Sequence, residues 1–157
     1  VRVNHLEEKI FIIQADIMSF YSRRKFNVVF ANPPYFRATQ GHLSPCEEKS
    51  IAKHEIKCDI MGIMVKAAEL LDKRGRAYFI YPFSRKEEFE AARERACLKL
   101  NRIKLVYPRP GQAPRFFLAE CSFQASTIEE MAPLFLLDEK GQVTPEAERI
   151  YAGRVDD

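Results

Sequence analysis

At 157 residues the chain is the size of one domain or part of one, and a hydrophobic content of 46% is enough to build a core. No stretch carries the uninterrupted apolar run of a membrane-spanning helix, and the opening Val1-Arg2-Val3-Asn4-His5 leads straight into charge, unlike a secretory leader. A net charge of +3 is too small to name a partner. The four cysteines (Cys46, Cys58, Cys97, Cys121) lack CxxC spacing, so free thiols in a reducing cytoplasm are expected.

In chain order, the first apolar run is Ile10-Phe11-Ile12-Ile13-Gln14-Ala15-Asp16, which reads as a parallel-type strand closing on a carboxylate. A helical turn around Ile17–Tyr21 leads to a second buried strand, Phe26–Ala31. The polar segment Phe36–Lys53 is too long for an ordinary connection, and such loops are usually functional or mobile. Ile60, Ile63, Met64, Ala67, Ala68 and Leu71 then keep the spacing of one buried helical face, stopped by Asp72–Gly75. Arg76–Tyr81 is a further strand. Ser84 and Glu87 form a capping-box signature for a helix from Arg85 to about Leu98. Two β-rich runs, Asn101–Tyr107 and Arg115–Phe123, flank a Pro/Gly loop and read as an antiparallel hairpin. In the tail, Ala132–Leu137 suits an edge strand and Pro145–Tyr151 a short helix. Strand–helix–strand alternation closing in a hairpin is an α/β pattern.

The charge is unevenly spread. No acidic residue falls between Arg95 and Ala119, whereas Lys99, Arg102, Lys104, Arg109 and Arg115 all do. Arg23-Arg24-Lys25 forms a second cluster. Such patches suit a phosphate backbone, and equally a plain solvated surface.

Asn32-Pro33-Pro34-Tyr35 stands apart, since it follows directly on the strand Phe26–Ala31. The carboxyl end of a strand is where open α/β sheets bind ligands. There the tetrad offers an amide oxygen, a carbonyl held by a ring that fixes φ, and an aromatic surface. This set suits chemistry on a planar NH2 group, although Pro-Pro also serves as a strand stop. His54-Glu55-Ile56-Lys57-Cys58 resembles a metal motif only superficially. Its second ligand would be Cys58 and no third is apparent, so no metal is expected.

The run Val28-Val29-Phe30-Ala31-Asn32-Pro33-Pro34-Tyr35 resembles motif IV of class I S-adenosylmethionine-dependent amino-methyltransferases. Within that group, Ile51-Ala52-Lys53-His54-Glu55, the loop Tyr107–Arg115 and Ala132-Pro133-Leu134-Phe135 are similar to segments of the bacterial enzymes that methylate N6 of an adenine in valine tRNA. The resemblance implies a Rossmann-like sheet, S-adenosylmethionine as cofactor, a tRNA substrate and a cytoplasmic enzyme with no membrane or metal partner. It implies a catalytic set of Asn32, Pro33, Pro34 and Tyr35. Asp16 and Ile17 would hold the cofactor's adenine beside Asn32, a helix N-cap being the alternative use of Asp16. Lys53 and His54 would contact the substrate, with Arg37 and Arg85, just past strand ends, and Arg109 and Arg115 on the basic loop.

The Gly-rich loop and ribose-binding acid of such enzymes have no counterpart here. In the family's strand order, 3-2-1-4-5-7-6, the Ile10–Ala15 run matches strand three and Phe26–Ala31 strand four, so two strands between them are lacking. Residues 1–125 are therefore expected to be the carboxyl-terminal part of a methyltransferase domain, with 126–157 a tail packing on it. Such a piece alone would be inactive and marginally stable. The same tetrad would serve methylation of a glutamine amide in a release factor. A cofactor-less RNA-binding module is the reading outside catalysis.

Overall fold

The computed structural model describes residues 5–33, 35, 59–124 and 127–153. Within them six strands form one sheet in the order β1-β2-β4-β3-β5, with β6 also paired to β3. They are β1 (Phe26–Ala31), β2 (Leu71–Pro82), β3 (Lys99–Tyr107), β4 (Phe116–Ser122), β5 (Glu129–Glu130) and β6 (Leu134–Phe135). The helices are α1 (Ile60–Leu70), α2 (Lys86–Arg95) and α3 (Pro145–Tyr151), with a 3-10 turn at Phe83–Arg85. β1 runs parallel to β2, while β4 is antiparallel to both β2 and β3. Described strands β1, β2, β4 and β3 thus reproduce the 4-5-7-6 portion of the expected order.

α1 forms where the periodicity places it and buries Ile60, Met64, Ala67 and Leu70. Its first turn is closed by the Asp59 carboxylate, which accepts from the Gly62 N–H at 2.8 Å. The chain turns at once from α1 into β2, and the pairing with β1 jumps from Phe26↔Leu71 to Val28↔Arg76. The residues Asp72–Gly75, expected to stop the helix, bulge out of this strand. A Cβ at Gly75 would lie 2.9 Å from the Phe26 carbonyl oxygen and 2.8 Å from Leu71 Cδ1, so only glycine fits the close approach.

The core lies on the face of the sheet covered by α1 and α2. Phe89 of α2 is fully buried and meets Phe117 edge-on at 4.9 Å, Phe79 at 5.7 Å and Tyr81 at 6.1 Å. Cys121 is buried beside them, and desolvation pushes its thiol up to about 12. The tail adds β5 and β6 alongside β3 and places α3 so that Glu146 pairs with Lys104 at 2.6 Å. α3 occupies Pro145–Tyr151 as expected, capped by Thr144 with proline in its first turn.

Two expectations fail, and one helix is shorter than expected. Residues 10–16 form no strand, and Phe11, Ile12 and Ile13 are 81%, 80% and 65% exposed. A strand exists only against a hydrogen-bonded neighbour, and no described strand pairs with this run. The stretch after Asp16 is a single turn at residues 17–19. The Ser84–Glu87 capping box does not form. The chain enters α2 through the 3-10 turn with Arg85 in the cap position, and that cap makes no side-chain hydrogen bond. The helix ends at Arg95, and Cys97 follows with a positive φ. The long segment Phe36–Lys53 lies outside the described residues.

Phe89→Ala in the protein carrying this chain is expected to lower the unfolding free energy by about 3–5 kcal/mol, the usual effect of emptying such a site. Urea unfolding followed by far-UV circular dichroism measures it.

Candidate active site

β1 carries the tetrad to the carboxyl edge of the sheet, where Ala31 is registered against Phe79 of β2. Asn32 is exposed, Pro33 buried and Tyr35 half-buried, while Pro34 lies outside the described residues. The residue before a proline is held extended, which aims Asn32 and its carbonyl without a hydrogen-bond ladder.

Tyr35 turns back towards the sheet. Its ring meets Tyr81 edge-on at 5.9 Å and Phe116 at 5.8 Å. Its hydroxyl donates to Asn32 Oδ1 and also lies 3.5 Å from the Ile80 carbonyl oxygen. Burial raises the phenol above its ordinary pKa, so it stays a donor through neutral pH. An amide oxygen accepts two hydrogen bonds, so one lone pair of Asn32 remains for another donor. Arg85, in the 3-10 turn that follows β2, completes the arrangement, its Nη1 donating to the Tyr35 backbone oxygen at 2.9 Å.

Asn32 stands between two hollows. One, of about 230 Å³, runs along β1 and is shared with Ile17, Pro33, Ile63 and Lys66. The other, of about 790 Å³, opens on the sheet face away from α1 and α2. Phe30 and Tyr78, stacked at 5.1 Å, line its floor, with Ile80 and Leu118 alongside. The structure therefore brings Ile17 to the same pocket as Asn32 and Pro33. Asp16 is exposed, and its carboxylate accepts from the Met18 N–H at 3.0 Å, the geometry of a turn cap. One carboxylate oxygen is engaged in this way.

This donor set fits the adenine end of S-adenosylmethionine: an exposed carboxylate for an exocyclic amine, next to an apolar Ile17 and a strand-end hollow. The described residues offer no glycine-rich cradle for the opposite end of that molecule.

The remaining calls scatter. Arg115 is exposed, with its guanidinium 5.7 Å above the Phe116 ring, one aromatic ring away from Tyr35. Arg109 sits at the hairpin tip, where Nε and Nη2 donate to the Gln112 side-chain oxygen at 2.9 and 3.1 Å once that amide faces it. Arg85 is turned inward rather than towards solvent. Arg37, Lys53 and His54, and the Glu55–Cys58 stretch, lie outside the described residues. The basic segment is partly neutralised by the tail: Arg102 pairs with Glu129 at 2.8 Å and Lys104 with Glu146 at 2.6 Å. Sequence reasoning missed Tyr81 and Phe116, which seat Tyr35. The period-two alternation of β2 and β4 was the available signal.

No protein-family model matches the chain. It is 31% identical over 130 residues to a tRNA1(Val) (adenine(37)-N6)-methyltransferase of Phocaeicola vulgatus, a match covering 78% of this chain and 55% of that protein. Proteins of the same name from Actinobacillus pleuropneumoniae and a Flavobacteriaceae bacterium are 24% and 27% identical over 91% and 95% of the chain, with 59% of each relative covered. The chain thus spans little more than half the length of the curated relatives it matches. Among solved structures, a predicted O-methyltransferase from Agrobacterium tumefaciens superposes with a TM-score of 0.66 at 18% identity, covering 99% of this chain and 72% of that one. The fold is the Rossmann-like sheet of class I methyltransferases, and the chain is a relative of the curated tRNA adenine-N6 enzymes.

Tyr35→Phe is expected to lower stability by about 1 kcal/mol, the usual worth of one such hydrogen bond. Differential scanning calorimetry of the two proteins checks this.

Proposed function

We propose that the protein carrying this chain transfers a methyl group from S-adenosylmethionine to the exocyclic N6 of an adenine in tRNA, in the cytoplasm. Residues 1–125 would form the carboxyl-terminal part of its methyltransferase domain, with residues 126–157 packing on that same domain. The observation that carries the reading is the position of Asn32: directly after the carboxyl end of β1, ahead of Pro33, and lining both hollows. The similarity to curated tRNA enzymes supports the substrate class.

The cofactor supplies a sulfonium-bound methyl that is already electrophilic, so the work of the protein falls on the nucleophile. The N6 lone pair of adenine is delocalised into the ring and nucleophilic only when the nitrogen pyramidalises. Asn32 Oδ1 and the Pro33 carbonyl oxygen accept the two N–H bonds and favour that shape. Acceptors that fit the transition-state nitrogen better than the planar amine lower the barrier. The hydroxyl of Tyr35 holds the Asn32 oxygen in place, and the free lone pair faces the substrate. Pro33 and Pro34 stiffen the segment so that this aim is set before substrate arrives. The product nitrogen is cationic and loses its proton without a strong base.

The Tyr35 ring supplies the surface on which the target adenine stacks after leaving its own stack, an interaction worth about 1–3 kcal/mol. Asp16 and the Ile17 backbone would hold the adenine end of the cofactor. Arg109 and Arg115, with Arg37, Lys53 and His54, contact the RNA. Of these, Arg115 is the described cation nearest Tyr35 through Phe116.

Asn32→Ala in the full-length protein is expected to reduce single-turnover methyl transfer to tRNA by about 100-fold or more, the usual effect of removing a preorganised polar contact. Transfer within a few-fold of wild type would remove Asn32 from the mechanism.

A further inference from the structure

Tyr35 lies in neither strand nor helix, and a side chain from elsewhere in the chain reaches its backbone. Arg85, fifty positions along the chain, donates from Nη1 to the Tyr35 carbonyl oxygen at 2.9 Å. Two other nitrogens of the guanidinium face away from Tyr35: Nε and Nη2 donate to Glu88 Oε2 at 3.1 and 2.6 Å, one helical turn on in α2. Its plane lies over the Tyr81 ring, 5.2 Å from the centroid. The side chain is only 16% exposed. The hydrogen bonds that Arg85 donates to Glu88 raise its pKa further, so the anchor stays charged at any working pH.

We infer that Arg85 is a positioning residue for methyl transfer, a clamp that fixes the Tyr35 backbone and through it the Asn32 acceptor, rather than a contact to substrate. This rests on the proposed chemistry at Asn32. Tyr81 is common to both halves of the device, since its ring meets the Tyr35 ring edge-on and also lies beneath the Arg85 guanidinium. The base-stacking ring and the backbone that carries it are thereby tied to a single buried tyrosine of β2. A lysine cannot replace this arrangement, because an ammonium lacks the planar fork that reaches a carboxylate and a carbonyl at once. Arg85→Lys therefore belongs with Arg85→Ala rather than with wild type.

The test uses the full-length protein with Arg85→Ala, Arg85→Lys and Glu88→Gln. A clamp predicts a kcat for tRNA methylation at least 10-fold lower in both Arg85 variants, an intermediate loss in Glu88→Gln, and tRNA affinity within twofold of wild type. Deuterium uptake in a peptide spanning residues 32–40 should rise in both Arg85 variants, while uptake across residues 99–107 of β3 stays unchanged. A rise in KM with kcat intact would overturn the inference in favour of a substrate contact, as would full activity in Arg85→Lys. If the wild-type protein methylates no tRNA, the proposed function fails and exchange alone decides the clamp: faster uptake confined to 32–40 supports it, unchanged uptake overturns it.

Discussion

The parallel pairing of β1 on β2 is the constraint from which the site follows. Its register places Ala31 beside Phe79, so the chain leaves the sheet at Asn32 just where β2 is about to deliver Tyr81, Pro82 and the turn bearing Arg85. A slip of one residue would turn Val29 and Ala31 away from the core and Phe30 into it, reversing the faces that the two hollows depend on. Gly75 makes the register reachable, because any side chain there would meet the Phe26 carbonyl. A backbone requirement about forty residues from the tetrad in sequence, at the opposite end of β1, therefore sets where the acceptors point.

The aromatic packing translates that register into a shaped site. Phe89 braces Phe79, Tyr81 and Phe117 from the helical side, and Tyr81 in turn seats Tyr35. Rings of this kind prefer offset or edge contacts and resist sliding, so the layer beneath Tyr35 is stiff. The opposite face of the sheet is different in kind. Phe30 and Tyr78 stack in the open, and Phe30 is 78% exposed at a strand whose free edge carries no described partner. Site rigidity comes from the covered face, and access comes from the uncovered one.

Elements with a complete local signal were legible in the sequence. The face spacing of α1, the Thr144-Pro145 start of α3 and the Pro/Gly loop of the β3–β4 hairpin each contain their own instructions. Elements defined by a partner were not. Ile10–Asp16 has strand composition, yet composition does not supply the neighbour a strand requires. The two-residue β5 exists only because β3 is beside it. The Ser84–Glu87 box lost to a 3-10 turn that lets Arg85 face Tyr35 instead of solvent. The same division runs through the site. Asn32-Pro33-Pro34-Tyr35 is contiguous and could be read directly, whereas Tyr81, Arg85, Glu88 and Phe116 converge on it only through the fold. Charge counting left the basic segment open between two readings for a like reason, since the acids that pair with Arg102 and Lys104 come from the tail.

Incubating the full-length protein with radiolabelled S-adenosylmethionine, unmodified total tRNA and a translation release factor in parallel tests the central claim most directly. After digestion to nucleosides and amino acids, label in N6-methyladenosine from tRNA is the predicted result. Label confined to a glutamine of the release factor would keep the chemistry of Asn32 and Pro33 but contradict the assignment of an RNA substrate, and label in neither would contradict both.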